Sequence, residues 1–358
     1  MRIAVLGGGN GACAAAADLT EKGHEVRWWR RDAAALPADG LLTLKDATGS
    51  RAVRVQHICA DIGQALGGAE LVFMPDPAFT QAGNAARMAP HLSDGQVVFL
   101  APGTFGSYAM ARLVCDAGSR ASVAYCETGT LPWLTRKHGP ATAAITARAT
   151  RLPTGVFPQR VHERAFATVR AAFPAAEPVE DALSAALMNA GPIIHPPLIL
   201  MNAGPLEHFE RWDIHKEGTQ PSIRRVTDAL DAERVAAREA LGYRAPHFPL
   251  ADHYRADGEE WMYGRRVHQK LTDSNDWRER IVLTEHRYMR EDVEYGLAFL
   301  VSVCEWAGTP CPVARSLLSI ASAVMGRDLR SGPRTLEHFG LRGLGREEMQ
   351  RLLRAGLQ

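Results

Sequence analysis

The sequence predicts an α/β protein: an N-terminal Rossmann domain with a doubly wound parallel sheet, followed by an all-α C-terminal domain. Three observations carry that reading. A short apolar strand runs straight into Gly7-Gly8-Gly9-Asn10-Gly11-Ala12, apolar runs then alternate with helical segments through about residue 150, and strand signals fade beyond about residue 180. The length, 358 residues, exceeds the ~250–300 at which one core stops growing. Two domains are therefore expected, at 1–180 and 181–358.

The first strand is Ile3–Leu6, and the helix after the glycines is Ala12–Glu21, closed by Gly23. His24–Trp29 is a second strand. Leu71–Met74 is a third, stopped by Pro75-Asp76-Pro77, and Gln96–Leu100 a fourth, stopped by Pro102-Gly103. Val123–Cys126 is a fifth. Strands this short and apolar, separated by helices, are buried on both faces, as in a parallel sheet. In the second half, Leu183, Ala186, Leu187 and Ala190 recur at helical spacing, and Arg224–Leu241 is helical in composition. Asp292–Trp306 sets Val293, Leu297, Leu300, Val301 and Cys304 on one stripe, and Arg315–Met325 is a further helix. Long loops are expected near 203–223 and 243–280.

Forty-one basic residues against 40 acidic ones leave a net charge of +1, which gives no electrostatic footprint for nucleic acid. The pairs Arg30-Arg31 and Arg265-Arg266 are too short to change that. The longest apolar run, Ile193–Met201, is interrupted by Pro196-Pro197 and falls short of the ~20 residues of a membrane span, so no membrane is expected. No targeting segment precedes the first strand. The six cysteines never form CxxC, which fits reduced thiols in the cytoplasm and neither a disulfide frame nor a metal site.

The glycine turn fits GxGxxA, the dinucleotide fingerprint with alanine at its third place. Gly7 permits the tight strand-to-helix turn, and Gly9 lets backbone approach a pyrophosphate. Ala12 lets helix and strand pack closely, while Asn10 and Gly11 open a helix whose free N–H groups face the phosphates. Pro75, at the end of the third strand, is expected at the cofactor's edge. An NAD site usually carries an acid about 20 residues beyond the glycines, on the ribose. Here Trp28-Trp29 lead into Arg30 and Arg31, and a guanidinium suits the 2′-phosphate of NADP. NADP is thus the expected cofactor, with NAD still allowed because Asp32 lies within reach.

In the second domain His195 precedes Pro196, so the helix is expected to break or kink there. An imidazole at such a break suits a general acid/base near neutral pH. A core histidine bonded to a backbone carbonyl fits the same residues equally well.

The chain resembles the opine dehydrogenases, the octopine/nopaline dehydrogenase family. Besides the glycine turn, the resemblance rests on Asn189…His195-Pro196…Asn202-Ala203, on Val226-Thr227-Asp228-Ala229-Leu230-Asp231-Ala232-Glu233-Arg234, on Arg287-Tyr288-Met289-Arg290-Glu291-Asp292-Val293 and on Arg334-Thr335-Leu336-Glu337. The resemblance implies NAD(P)H-dependent reductive condensation of a 2-oxo acid with the amino group of an amino acid. The product would be a secondary-amine dicarboxylate, formed between a dinucleotide-binding and a helical domain. It further implies His195 as the catalytic histidine, Arg287 as the arginine on the oxo-acid carboxylate and Asp292 as the acid assisting His195. Asn189 and Asn202 are expected to bind substrate, and a homodimer is the assembly considered. Two departures stand out: Arg30 where NAD-preferring relatives have an acid, and Pro192 inside the Asn-to-His stretch. On a straight α-helix Arg287 and Asp292, five apart, face different ways. Asp292 is accordingly expected at a helix start, with Arg287 in the preceding turn.

Two other classes stay open. A ketopantoate-type reductase shares the two-domain plan but relies on a lysine, and the second half offers Lys216 and Lys270 outside any asparagine-rich helix. A non-catalytic NADP-binding protein would need the glycine turn but not His195, Arg287 and Asp292 together.

Overall fold

Among the described residues twelve strands form: β1 (Arg2–Leu6), β2 (Glu25–Trp29), β3 (Leu41–Asp46), β4 (Gly49–Arg54), β5 (His57–Cys59), β6 (Leu71–Met74), β7 (Val97–Leu100), β8 (Ala124–Thr128), β9 (Trp133–Lys137), β10 (Thr142–Arg148), β11 (Leu152–Phe157) and β12 (Ala176–Pro178). They belong to a computed structural model that describes residues 1–32, 37–256 and 261–357. The five expected strands are present as β1, β2, β6, β7 and β8. They lie in an eight-stranded sheet of order β12-β11-β8-β7-β6-β1-β2-β5, parallel from β5 through β8. β11 then runs antiparallel to β8. The chain leaves β1 toward β2 and returns on its other side as β6, so the strand order reverses beside the glycine turn. In open α/β sheets that reversal opens a crevice at the carboxyl ends of the strands.

The sequence reading missed a second, four-stranded sheet of order β4-β3-β10-β9. Its hairpin turns at Gly49 (φ +117°), with Thr48 N–H donating to Asp46 Oδ1 at 2.9 Å. Arg148 on β10 ties this sheet to the first helix, reaching Asp18 and Asp46 at 2.8 Å each. Asp18 is buried and also accepts from the Trp133 indole at 3.1 Å.

Two compact units result, described separately: Met1–Ala186 with the chain's end from Gln350, and Leu187–Met349. The division therefore falls later than 180/181. The helix Ala182–Ala186 stays with the first unit because Gly155 of β11 leaves no room for a Cβ against Asp181 and Ala185. The terminal residues stay there too, with Arg160 Nε donating to Ala355 O at 2.9 Å.

The second unit is helical among its described residues, with Gly191–Met201, Pro221–Ala240, Ala298–Ala307 and Pro312–Met325 as its longer α-helices. Both expected long loops contain short helices, Ala203–His208 in one, Ala251–Tyr254 and Val267–Asp273 in the other. The expected break at His195 is absent, since Gly191–Met201 continues through Pro196 and Pro197. Proline removes an N–H and crowds the preceding turn. Here Pro192, Ile193, Pro196, Pro197, Leu198 and Ile199 are buried, and that packing holds the helical path. Apolar length also differs from expectation. Ala182–Met201 is long and apolar enough to span a bilayer, yet 83% of that window is buried inside the structure.

Candidate active site

The first unit presents the nucleotide-binding turn. Gly7 has φ +110°, and a Cβ there would lie 2.2 Å from Asp76 Oδ1 beyond β6, so no other residue fits. The Trp28 indole donates to Gly7 O at 2.8 Å and fixes the turn against β2. Gly9 caps the helix Asn10–Glu21, and a Cβ at Gly9 would meet nothing within 4 Å. Among the described residues no side chain caps that helix, and no acid stands in its first turn. An uncapped N-terminus beside open space suits a pyrophosphate, whose oxygens accept from the free N–H groups. Gly11 lies against Pro75 Cβ, 2.9 Å from where its own Cβ would stand, so Pro75 forms the opposite wall. Ala12 is buried.

Arg30 folds back over the turn, its Nε 2.7 Å from where a Gly8 Cβ would be, while Arg31 and Asp32 are exposed. One neighbour had no signal in the sequence. Lys137, at the end of β9, donates through Nζ to Gly8 O at 3.2 Å, and its N–H donates to Asn10 Oδ1 at 3.0 Å. The Asn10 side-chain oxygen is thus engaged by β9.

In the second unit, His195 Nδ1 and Asp292 Oδ2 are 2.8 Å apart, although 97 residues separate them in sequence. Asp292 does not sit at a helix start. It lies inside a π-helix, Tyr288–Leu297, that opens immediately after Arg287. Bonding from i to i+5 stacks residues five apart, so the spacing that separates Arg287 from Asp292 on an α-helix brings them to one side here. The close approach of the two helices needs two glycines. A Cβ at Gly191 would lie 2.1 Å from Asp292 Oδ1, and one at Gly296 would lie 2.2 Å from Pro192 Cγ. Burial pushes the Asp292 carboxyl well above the usual carboxylate range, against the pull of Arg287 and His286.

The sequence did not mark the aromatic bed of His195. Tyr288 stacks on its imidazole with ring centroids 3.6 Å apart and planes 11° from parallel. The Tyr288 hydroxyl meets His215 Nε2 at 2.8 Å, and the Arg287 guanidinium lies 5.2 Å from the Tyr288 centroid. Asn189 accepts from Gly191 N–H at 3.0 Å and shapes the entry to the His195 helix. Asn202 is buried, donates to Leu198 O at 2.8 Å and Gly218 O at 3.1 Å, and accepts from the Trp212 indole at 2.9 Å. Those bonds engage its amide with the framework. Lys216 and Lys270 are exposed. Among the described residues no cluster of three metal-ligating side chains occurs, and all six cysteines are free.

Comparison with known proteins places this geometry. The family description "NAD/NADP octopine/nopaline dehydrogenase, alpha-helical domain" matches residues 178–325. An opine dehydrogenase of Arthrobacter sp. (strain 1C) is 28% identical over 349 residues, 95% of either chain. The solved octopine dehydrogenase in complex with NADH and agmatine superposes with a TM-score of 0.73 at 19% identity, covering 99% of this chain and 98% of that one. A yersinopine dehydrogenase with NADP+ bound gives a TM-score of 0.68 at 17% identity, covering 99% and 98%. The similarity runs from end to end and takes in both units, and the family description covers the helical stretch holding His195, Arg287 and Asp292: throughout its length the chain is similar to the opine dehydrogenases.

Proposed function

We propose that this NAD(P)H-dependent oxidoreductase condenses the amino group of an amino acid with a 2-oxo acid and reduces the resulting imine. The product is a secondary-amine dicarboxylate. The observation that carries the reading is the 2.8 Å His195–Asp292 pair, with Arg287 one π-turn before Asp292.

Each residue type answers one demand of the chemistry. The oxo acid and the imine both keep a carboxylate, which a guanidinium can hold through two parallel hydrogen bonds, and Arg287 is assigned that task. Attack of the amine on the carbonyl carbon gives a carbinolamine, whose hydroxyl must leave as water. With Nδ1 committed to Asp292, Nε2 of His195 is the nitrogen that takes the ammonium proton and returns a proton to the departing hydroxyl. Asp292 holds the imidazole in one tautomer and stabilises imidazolium, and the apolar face of Tyr288 fixes the plane of the ring. The reduced nicotinamide, when bound at the glycine turn, supplies the hydride. The test is NADPH oxidation with the oxo acid alone, the amino acid alone and both, using pyruvate, oxaloacetate and 2-oxoglutarate against the amino acids. Turnover is expected only with both. Equal rates with the oxo acid alone would favour the ketopantoate-type reduction.

We also propose that NADPH is preferred over NADH. Support comes from Arg30, half-buried over the glycine turn where an NAD site carries an acid. Arg30→Asp should weaken NADPH more than NADH in fluorescence titrations, and tighter NADH binding by the unaltered protein would sink the claim.

A further inference from the structure

A second cation stands in the same helical unit, outside the groups assigned above. Arg224 is near the start of the helix Pro221–Ala240. Two bonds show that this helix runs antiparallel to Gly191–Met201: Arg234 Nη1 donates to Leu187 O at 3.0 Å, and Asn202 Nδ2 donates to Gly218 O at 3.1 Å. With 234 beside 187 and 218 beside 202, residue 224 falls level with the stretch just beyond His195. Its Cζ lies 4.5 Å from the Tyr254 ring centroid, and Tyr254 is 4.9 Å from the His268 ring. His268 Nε2 meets His215 O at 3.0 Å, and His215 meets Tyr288, on which His195 stacks. A chain of direct contacts thus joins the Arg224 guanidinium to the acid/base pair.

Among the described residues Arg224 has no hydrogen bond and no ion pair, and its Nε is buried without a partner. Arg234, on the same helix, shows the usual alternative, an ion pair with Asp231 at 2.6 Å. Asp228, one turn beyond Arg224, lies outside ion-pair distance. Beside this guanidinium, His253 is 5% exposed and its Nδ1 also lacks a partner. Its imidazole is pushed down to about 3, by burial first and then by His268, Arg224 and His195. The guanidinium is the charge there, with the two imidazoles beside it held neutral, and its buried, unpartnered Nε suits an anion with two acceptor oxygens.

We infer that Arg224 holds the carboxylate of the amino donor. The inference rests on the reaction proposed above: the product carries two carboxylates, Arg287 takes one, and the other needs its own cation. The preferred donors are then amino acids with a free carboxylate, and the corresponding amines are poor ones.

Kinetics with matched donors test this: L-arginine against agmatine and L-phenylalanine against phenethylamine, at saturating NADPH and pyruvate, for the unaltered protein, Arg224→Gln and Arg224→Lys. Arg224→Gln should raise the Michaelis constant of the amino acids about 10- to 100-fold, the range for losing a charge-assisted pair, and leave that of pyruvate and the rates with amines near their original values. Preference for the acid over its amine should collapse, and Arg224→Lys should restore part of it. An unchanged amino-acid constant in a variant with normal melting temperature, or an equal rise for pyruvate, overturns the assignment. Calorimetric titration of the same amino acids into the NADPH complex separates the two claims. If no secondary amine forms but binding is seen and lost in Arg224→Gln, the reaction is wrong and the carboxylate site stands. If no amino acid binds the unaltered protein, both fall.

Discussion

In the proposed reaction, His195 is where the chemistry meets the fold. Its imidazole is clamped at the edge by Asp292 and on the face by Tyr288, so the orientation of the ring is fixed by the fold. His195→Ala should lower turnover about 10²–10⁴-fold, the usual worth of a placed acid/base, while NADPH binding by fluorescence stays near normal. Full turnover in that variant would return His195 to a core role. A second residue-scale consequence concerns pH. His253 is held neutral, its folded value near 3 lying below its ordinary 6.5. A depressed histidine contributes stability above the unfolded value and loses it as pH falls from 6.5 toward 3, because the unfolded chain binds the proton first. The contribution falls at up to about 1.4 kcal/mol per pH unit over that window. Chemical denaturation at pH 7, 6, 5 and 4 should show a shallower decline for His253→Gln than for the unaltered protein. Parallel declines would contradict it. His195 and Asp292 were legible as residues because they sit in distinctive blocks of sequence. Tyr288, His215 and Lys137 were not, since nothing local in a sequence records which ring stacks on which imidazole or which lysine crosses from a second sheet.

At the scale of elements, the π-helix decides the site. Arg287 and Asp292 are five apart, a spacing that an α-helix would turn into opposed directions. Bonding from i to i+5 resolves that conflict, and no pattern of apolar residues announced it: Val293, Leu297, Leu300, Val301 and Cys304 form one stripe while the segment passes from π (Tyr288–Leu297) to α (Ala298–Ala307). The facing helix must come close for Asp292 to reach His195, and Gly191 is the contact that allows it. Gly191→Ala would place a Cβ 2.1 Å from Asp292 Oδ1, so the carboxylate has to swing away. Turnover should fall by an order of magnitude or more toward the His195→Ala level, with NADPH affinity kept; unchanged turnover would show that the pair tolerates displacement. The helix through Pro196 and Pro197 carries a related lesson, because local propensity predicted a break and burial of both prolines overrode it.

At the scale of the molecule, the parallel sheet was legible because most of its strands are short apolar runs that end at glycine or proline. The small sheet was not. β3 and β4 mix polar with apolar residues, and the pairing of β3 with β10 depends on contacts about 100 residues away that no local pattern encodes. The division of labour follows the two units: the first carries the dinucleotide turn, and the second carries His195, Arg287 and Asp292. The central claim is that reduction acts on an imine made from two substrates, and the fate of the hydride tests it most directly. With NADPH deuterated at its transferable position, a 2-oxo acid and an amino acid, mass spectrometry should show one product. Its mass should equal the sum of the two substrates less water plus one hydrogen and one deuterium, with the deuterium on the carbon that was the oxo carbon. A deuterated 2-hydroxy acid, with the amino acid recovered unchanged, would contradict the account.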